Sequence, residues 1–117
     1  GELLGDREEL DGRLAMADRN WPVAIDAFDR AARLRREALA YRQMAELQAM
    51  AARGCEAAGD MPQAARRYLR AGRSAAQRGD AQNANSWLGQ AESLARKAGD
   101  DWVAGEARRY LRQLGTD

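Results

Sequence analysis

The chain contains no histidine. That removes the commonest general base, the usual activating partner of a nucleophile and the commonest metal ligand. Its single cysteine, Cys55, can form neither an intrachain disulfide nor a cysteine-rich zinc site. The glycine patterns of phosphate-cradling and dinucleotide-binding loops are missing. Threonine occurs once, lysine once and proline twice, and no segment alternates β-branched residues, so there is little from which to build a sheet. No apolar run approaches the roughly eighteen residues of a membrane-spanning helix, and no signal-peptide pattern is visible. Adjacent acids such as Glu8-Glu9 and Asp100-Asp101 fall on a helix surface and at a helix start, where the backbone dipole favours carboxylates without any catalytic role. These absences predict a chain that is not an enzyme and needs no metal or cofactor. Low cysteine usage fits the cytoplasm, the expected location, and equally a processed periplasmic domain.

What the chain does have is a punctuation mark. Gly-Asp recurs at Gly59-Asp60, Gly79-Asp80 and Gly99-Asp100, at one strict interval of twenty positions. Glycine ends a helix at low cost because it can enter the left-handed conformation. Aspartate starts the next one by accepting from the free N–H groups of the first turn. A stop-start signal at this spacing predicts helices of about seventeen residues joined by tight turns.

A longer period overlies the shorter one. Asn20-Trp21-Pro22-Val23-Ala24 and Asp60-Met61-Pro62-Gln63-Ala64 share one register at twice that interval: a cap, a bulky residue, then proline in the first turn, where its missing N–H costs nothing. Asp100-Asp101-Trp102-Val103-Ala104 occupies the third equivalent place without the proline. The unit is therefore a pair of helices. Helices are expected over about 3–18, 22–36, 42–58, 61–78, 81–98 and 101–114, in hairpins of about 1–38, 41–78 and 81–114 forming one domain. The weak point is Leu39-Ala40, where no breaker stands. Either the chain turns there without glycine, the favoured reading, or a fused helix over 22–58 runs roughly 55 Å.

Within the second helix of each of the first two units, Ala24, Phe28 and Ala31 are matched by Ala64, Tyr68 and Ala71. These share one helix face, small residues letting a neighbour approach and the ring filling the gap. Phe28, Tyr68, Trp87 and Trp102 are expected in the core, Trp21 half-exposed on a turn, and Cys55 buried and inert. This pattern, with the Gly-Asp turn and with Gly12 placed twelve positions before Ala24, resembles the tetratricopeptide repeat (TPR). Stretches such as Ala57-Ala58-Gly59-Asp60 resemble its long-helix variants, of which soluble NSF attachment proteins are examples. The third unit departs from the pattern, with Arg108 in the aromatic's place. The resemblance implies an all-α, right-handed stack of about three antiparallel hairpins, an α-solenoid that binds other proteins.

The net charge of +1 disfavours bulk nucleic-acid affinity. Its distribution is uneven. Residues 1–11 are acidic, whereas 61–78 carry five arginines and no acid, with Arg66, Arg70 and Arg73 on one side of the fourth helix. Arg30, Arg33, Arg35 and Arg36 decorate the second helix, and Arg108, Arg109 and Arg112 the sixth. In TPR-like stacks the first helices line a concave groove. That resemblance would place Glu9, Arg13, Met16, Glu46, Met50, Arg53, Glu56, Ser86, Gln90, Ser93 and Arg96 in it. This mixture suits a protein or peptide segment, methionine giving adaptable apolar contact and arginine holding carboxylates. The positions matching the carboxylate clamp of chaperone-tail TPR domains read Glu9, Arg13, Met50, Ser86 and Gln90, so no chaperone tail is expected. The main reading is thus a non-catalytic adaptor or scaffold. The alternatives are an anion-binding module (acidic protein, RNA or lipid surface) using Arg66, Arg70 and Arg73, or a structural subunit of a larger assembly. The stack ends could also pair two copies.

Overall fold

The structure is a computed structural model and describes residues 2–115. Six helices follow one another: α1 (Glu2–Ala17), α2 (Trp21–Glu37), α3 (Tyr41–Ala57), α4 (Met61–Gln77), α5 (Ala81–Ala98) and α6 (Asp101–Gln113). No strand occurs among the described residues. Each helix packs on the next, and α4 also touches α6, giving a slab of about 39 × 30 × 18 Å.

The turns explain the spacing. Arg19, Leu39, Gly59, Gly79 and Gly99 all take positive φ, at the same regular interval. After each, the next N–H reaches back to the carbonyl five residues earlier: Asn20 to Ala15, Ala40 to Arg35, Asp60 to Cys55, Asp80 to Ala75 and Asp100 to Ala95, all within 2.8–2.9 Å. The left-handed residue's own N–H bonds the carbonyl three residues before it, as in Leu39 to Arg36 at 3.0 Å. This double closure satisfies helix-end carbonyls at all five turns. The following residue then opens the next helix. Asp60, Asp80 and Asp100 accept from the N–H groups of Gln63, Asn83 and Val103, whereas Asn20 and Ala40 make no side-chain cap. The chain therefore does break at Leu39-Ala40, with φ of 61° on a leucine and no fused helix.

The same period runs through the core. Ala31, Ala51, Ala71 and Ala91 are each fully buried. A small residue on one helix faces a large one on the next, at a fixed offset. A Cβ on Gly12 would lie 2.6 Å from the Phe28 ring, and one on Gly72 2.6 Å from Leu88. These contacts set how closely the helix axes approach. Ala52 and Tyr68 share this offset and the same core cluster. Between α5 and α6 the pair is ionic instead, Arg108 lying 3.8 Å from Glu92, which is how the third unit manages without its aromatic. The repeat also puts Gln48 where Phe28, Tyr68 and Leu88 stand, and its buried Oε1 has no partner.

Phe28, Tyr68, Trp87 and Cys55 are buried as expected. Trp102 is not: it is 65% exposed, because it stands in the first turn where Pro22 and Pro62 also face solvent. Arg35 departs in the opposite sense. Its side chain lies buried against Gly5, donating to Asp6 rather than decorating a solvated face, and its Nε has no partner.

Candidate functional site

Two broad faces follow from one helical rule. The residues at places 6, 10 and 13 of each repeat lie at i, i+4 and i+7, and none of them is buried on any helix. On α1, α3 and α5 these are Asp6, Leu10 and Arg13; Glu46, Met50 and Arg53; and Ser86, Gln90 and Ser93. On α2, α4 and α6 they are Asp26, Arg30 and Arg33; Arg66, Arg70 and Arg73; and Glu106, Tyr110 and Gln113.

The first face holds an open cavity of about 360 Å³ lined by Arg13, Glu46, Met50, Arg53, Asn83, Ser86 and Trp87. Three alternate helices thus contribute to one depression. Of the groove residues expected from sequence, Arg13, Glu46, Met50, Arg53 and Ser86 meet there. Asn83 and Trp87 also line it, and the i, i+3 relation of Asn83 to Ser86 was the available signal. Glu9 sits one turn away and takes the Arg13 guanidinium at 2.8 Å. Arg42 lies 3.9 Å from Glu46.

The other expected members lie elsewhere. Met16 is partly buried against the cluster of Ala15, Phe28 and Leu47. Glu56 accepts from the Tyr68 hydroxyl at 3.0 Å, inside the α3–α4 contact. Burial, then the bond to Glu56 and its charge, push the Tyr68 phenol up to about 12. Gln90 and Ser93 are exposed farther along α5 and do not line the cavity. Arg96 bonds Glu92 at 2.8 Å and borders a different hollow at the α5–α6 end, with Asp101, Ala104 and Arg108.

The second face carries three hollows in a row. One of about 430 Å³ has Asp29, Arg33, Arg36, Met44, Arg67 and Arg70 in its lining. The central one, about 520 Å³, has Arg36, Tyr41, Arg70, Arg73, Arg78 and Tyr110 in its border. The third, about 400 Å³, is bordered by Arg66, Leu69, Arg70, Arg73, Asp100, Trp102 and Val103. Arg66, Arg70 and Arg73 therefore do come together, joined by arginines and rings from neighbouring helices. The frame beneath is stiffened by Arg67, which donates from Nε and Nη2 to the two oxygens of Asp29 at 3.2 and 2.7 Å. That fork-to-carboxylate pair ties α4 to α2 and, as the main cause, raises the Arg67 pKa.

Chemically, the first face offers apolar and mixed-charge contact, and the second offers guanidinium groups. The described residues contain no group of three His, Cys, Asp or Glu side chains placed to hold a metal. No described helix is long and apolar enough to cross a membrane. Cys55 is buried, and burial is the main cause pushing its thiol pKa up, which is the opposite of a reactive thiolate. Compared with protein families, curated proteins and solved structures, the chain matches none.

Proposed function

We propose that the chain is a TPR-like, non-catalytic interaction module that holds a protein or peptide segment against the face of α1, α3 and α5. One observation carries the reading: Arg13, Glu46, Met50, Arg53 and Ser86, residues of three alternate helices, line a single open cavity. A surface assembled from successive repeats is how a stack of helices gains an extended binding site. Trp87 and Met50 supply the apolar floor, and Arg53 and Glu46 supply charge of both signs. An amphipathic segment has both complements.

The test is affinity capture with two baits, wild type and Ser86→Arg/Arg13→Ala. Ser86 and Arg13 are exposed, so the variant should fold, which circular dichroism checks. A stoichiometric protein retained by wild type and lost by the variant supports the reading. A partner held equally by both removes this face from consideration.

A further inference from the structure

The second face has properties that its role as a solvated surface does not require. Several arginines of the stack, on this face and off it, are matched: Arg13 with Glu9, Arg30 with Glu8, Arg35 with Asp6, Arg67 with Asp29, Arg96 with Glu92 and Arg109 with Glu106. Among the described residues, Arg33, Arg36, Arg70 and Arg73 make no ion pair; Glu106 is near enough to Arg73 to sense its charge. Arg66 and Arg78 have only loose partners, Asp100 and Asp80, each at 3.9 Å. Arg7, Arg19 and Arg53 also make no ion pair among the described residues, but they are scattered over α1, a turn and α3. By contrast, α4 carries its arginines with no acid and shares hollows with Arg33 and Arg36 of α2.

The hollows there are linked. Arg70 lines all three, Arg36 lines two and Arg73 lines two. The central one has no carboxylate in its lining. Rings stand at its edges: Tyr41 is 46% exposed, and Trp102, in the next hollow, 65%. An exposed tryptophan beside unpaired guanidiniums presents apolar area and charge together.

We propose that this face binds an acidic peptide segment, its carboxylates held by Arg36, Arg70 and Arg73 and its apolar residues set against Tyr41 and Trp102. The boundary of the patch selects this ligand over a nucleic acid. Asp29 closes it at the α2 side, and Asp100 with Glu106 closes it at α6. A strand with a phosphate at every step runs on into those carboxylates. A peptide carries charge only where its own sequence puts it. Arginine without lysine also fits planar, two-point recognition of carboxylate. This site is independent of the one on α1, α3 and α5, and each can fail alone.

The probe is a fluorescein-labelled peptide of alternating Glu and Phe, about eight residues or roughly 27 Å extended, followed by anisotropy. The same peptide with Lys for Glu and a labelled oligouridylate of equal length are the controls. The Glu peptide is expected to bind saturably and the Lys peptide not at all. Arg70→Glu should weaken binding by about tenfold or more, the scale of one lost charge-assisted contact. Ser86→Arg should leave it unchanged. Should Arg70→Glu melt below wild type, Arg70→Gln and Trp102→Phe take its place, the latter removing any tryptophan emission change on binding. No saturable binding of the Glu peptide, equal binding by the Arg70 variants, or tighter binding of oligouridylate each overturns the proposal.

Discussion

Leu39→Gly/Ala40→Asp should make the protein more stable, although it replaces a leucine and leaves every helix-to-helix contact in place. The five turns share one geometry, and three of them already read Gly-Asp. At the second turn a leucine occupies the left-handed conformation at φ 61°, where a Cβ crowds the carbonyl at a cost of about 1–2 kcal/mol. Leu39 is 69% exposed, so its removal forfeits little packing. Against that gain, glycine loosens the unfolded chain by about 0.4–1 kcal/mol. Ala40 has φ −89° and ψ 68°, close to the −95° and 79° of Asp60, so a carboxylate there would meet the N–H of Gln43 as Asp60 meets that of Gln63. A cap of that kind contributes about 1 kcal/mol. Together the two changes should add about 1–2 kcal/mol, or on the order of 5 °C in a domain of this size.

The assay is urea denaturation followed by circular dichroism, with Gly79→Ala as the reciprocal control. Gly79 has the same conformation, at φ 77°, and nothing within 4 Å of an added Cβ, so alanine there introduces backbone strain alone. It should lose about 1 kcal/mol or slightly more. A double variant no more stable than wild type, beside a Gly79→Ala variant that is clearly weaker, would refute the equivalence of the turns. If neither changes stability, the left-handed closure is not what holds the repeat spacing.

Gln48→Leu should stabilise by about 1–2 kcal/mol, by removing a buried unpaired oxygen from a place where Phe28, Tyr68 and Leu88 stand in other repeats; chemical denaturation reads it. Gly12→Ala should destabilise by about 1–3 kcal/mol because its Cβ would press on the Phe28 ring. Gly89→Ala, with open space around it, should gain up to about 1 kcal/mol in helix propensity, and thermal melts of the pair should move in opposite directions. Tyr68 keeps its proton in the folded state up to about 12, against 10.0 for a free phenol. The unfolded state therefore releases its proton first, and stability falls as pH rises from about 10 towards 12. Tyr68→Phe should show a shallower decline over that window and a loss of about 1 kcal/mol at neutral pH, seen in urea titrations across the pH range.

The helices were legible because their ends are local chemistry. Gly and Asp act within a turn, so the boundaries fall within two residues of expectation at every helix end. The place of Gly12 was legible through the family resemblance, but its approach to the Phe28 ring was not, because that contact exists only once α1 and α2 are packed. The turn at Leu39-Ala40 was ambiguous because leucine accepts its strain only when tertiary packing on both sides demands a break. Trp102 and Arg35 exchanged environments for similar reasons: the tryptophan's place in the first turn outweighs its apolarity, and Gly5 opens room for a guanidinium that composition would leave in solvent. Met16 was assigned to the groove with Glu9 and Arg13. The centre of that set is rotated by about 60° from the outward triad of Asp6, Leu10 and Arg13, with which it shares only Arg13, and that rotation turns Met16 against the core.

The candidate surfaces were legible one helix at a time and no further. Arg66, Arg70 and Arg73 form a stripe by spacing alone. What turns the stripe into a surface is its neighbours, Arg36 and Tyr41 from either side of the α2–α3 turn and Trp102 and Tyr110 from α6, and those depend on the alternation of the stack. Every helix presents the same three outward positions, but successive helices present them on opposite sides. The outward positions of odd helices therefore contribute to one face and those of even helices to the other, with Tyr41, Met44 and Gln48 of α3 filling in beside the second. A single helix-plus-turn unit, repeated with alternation, can thus diversify two surfaces without disturbing the buried alanines at 31, 51, 71 and 91 that both share. Substitutions at the outward positions of α4 should consequently leave binding on α1, α3 and α5 untouched, which is why Arg70→Glu and Ser86→Arg separate the two sites.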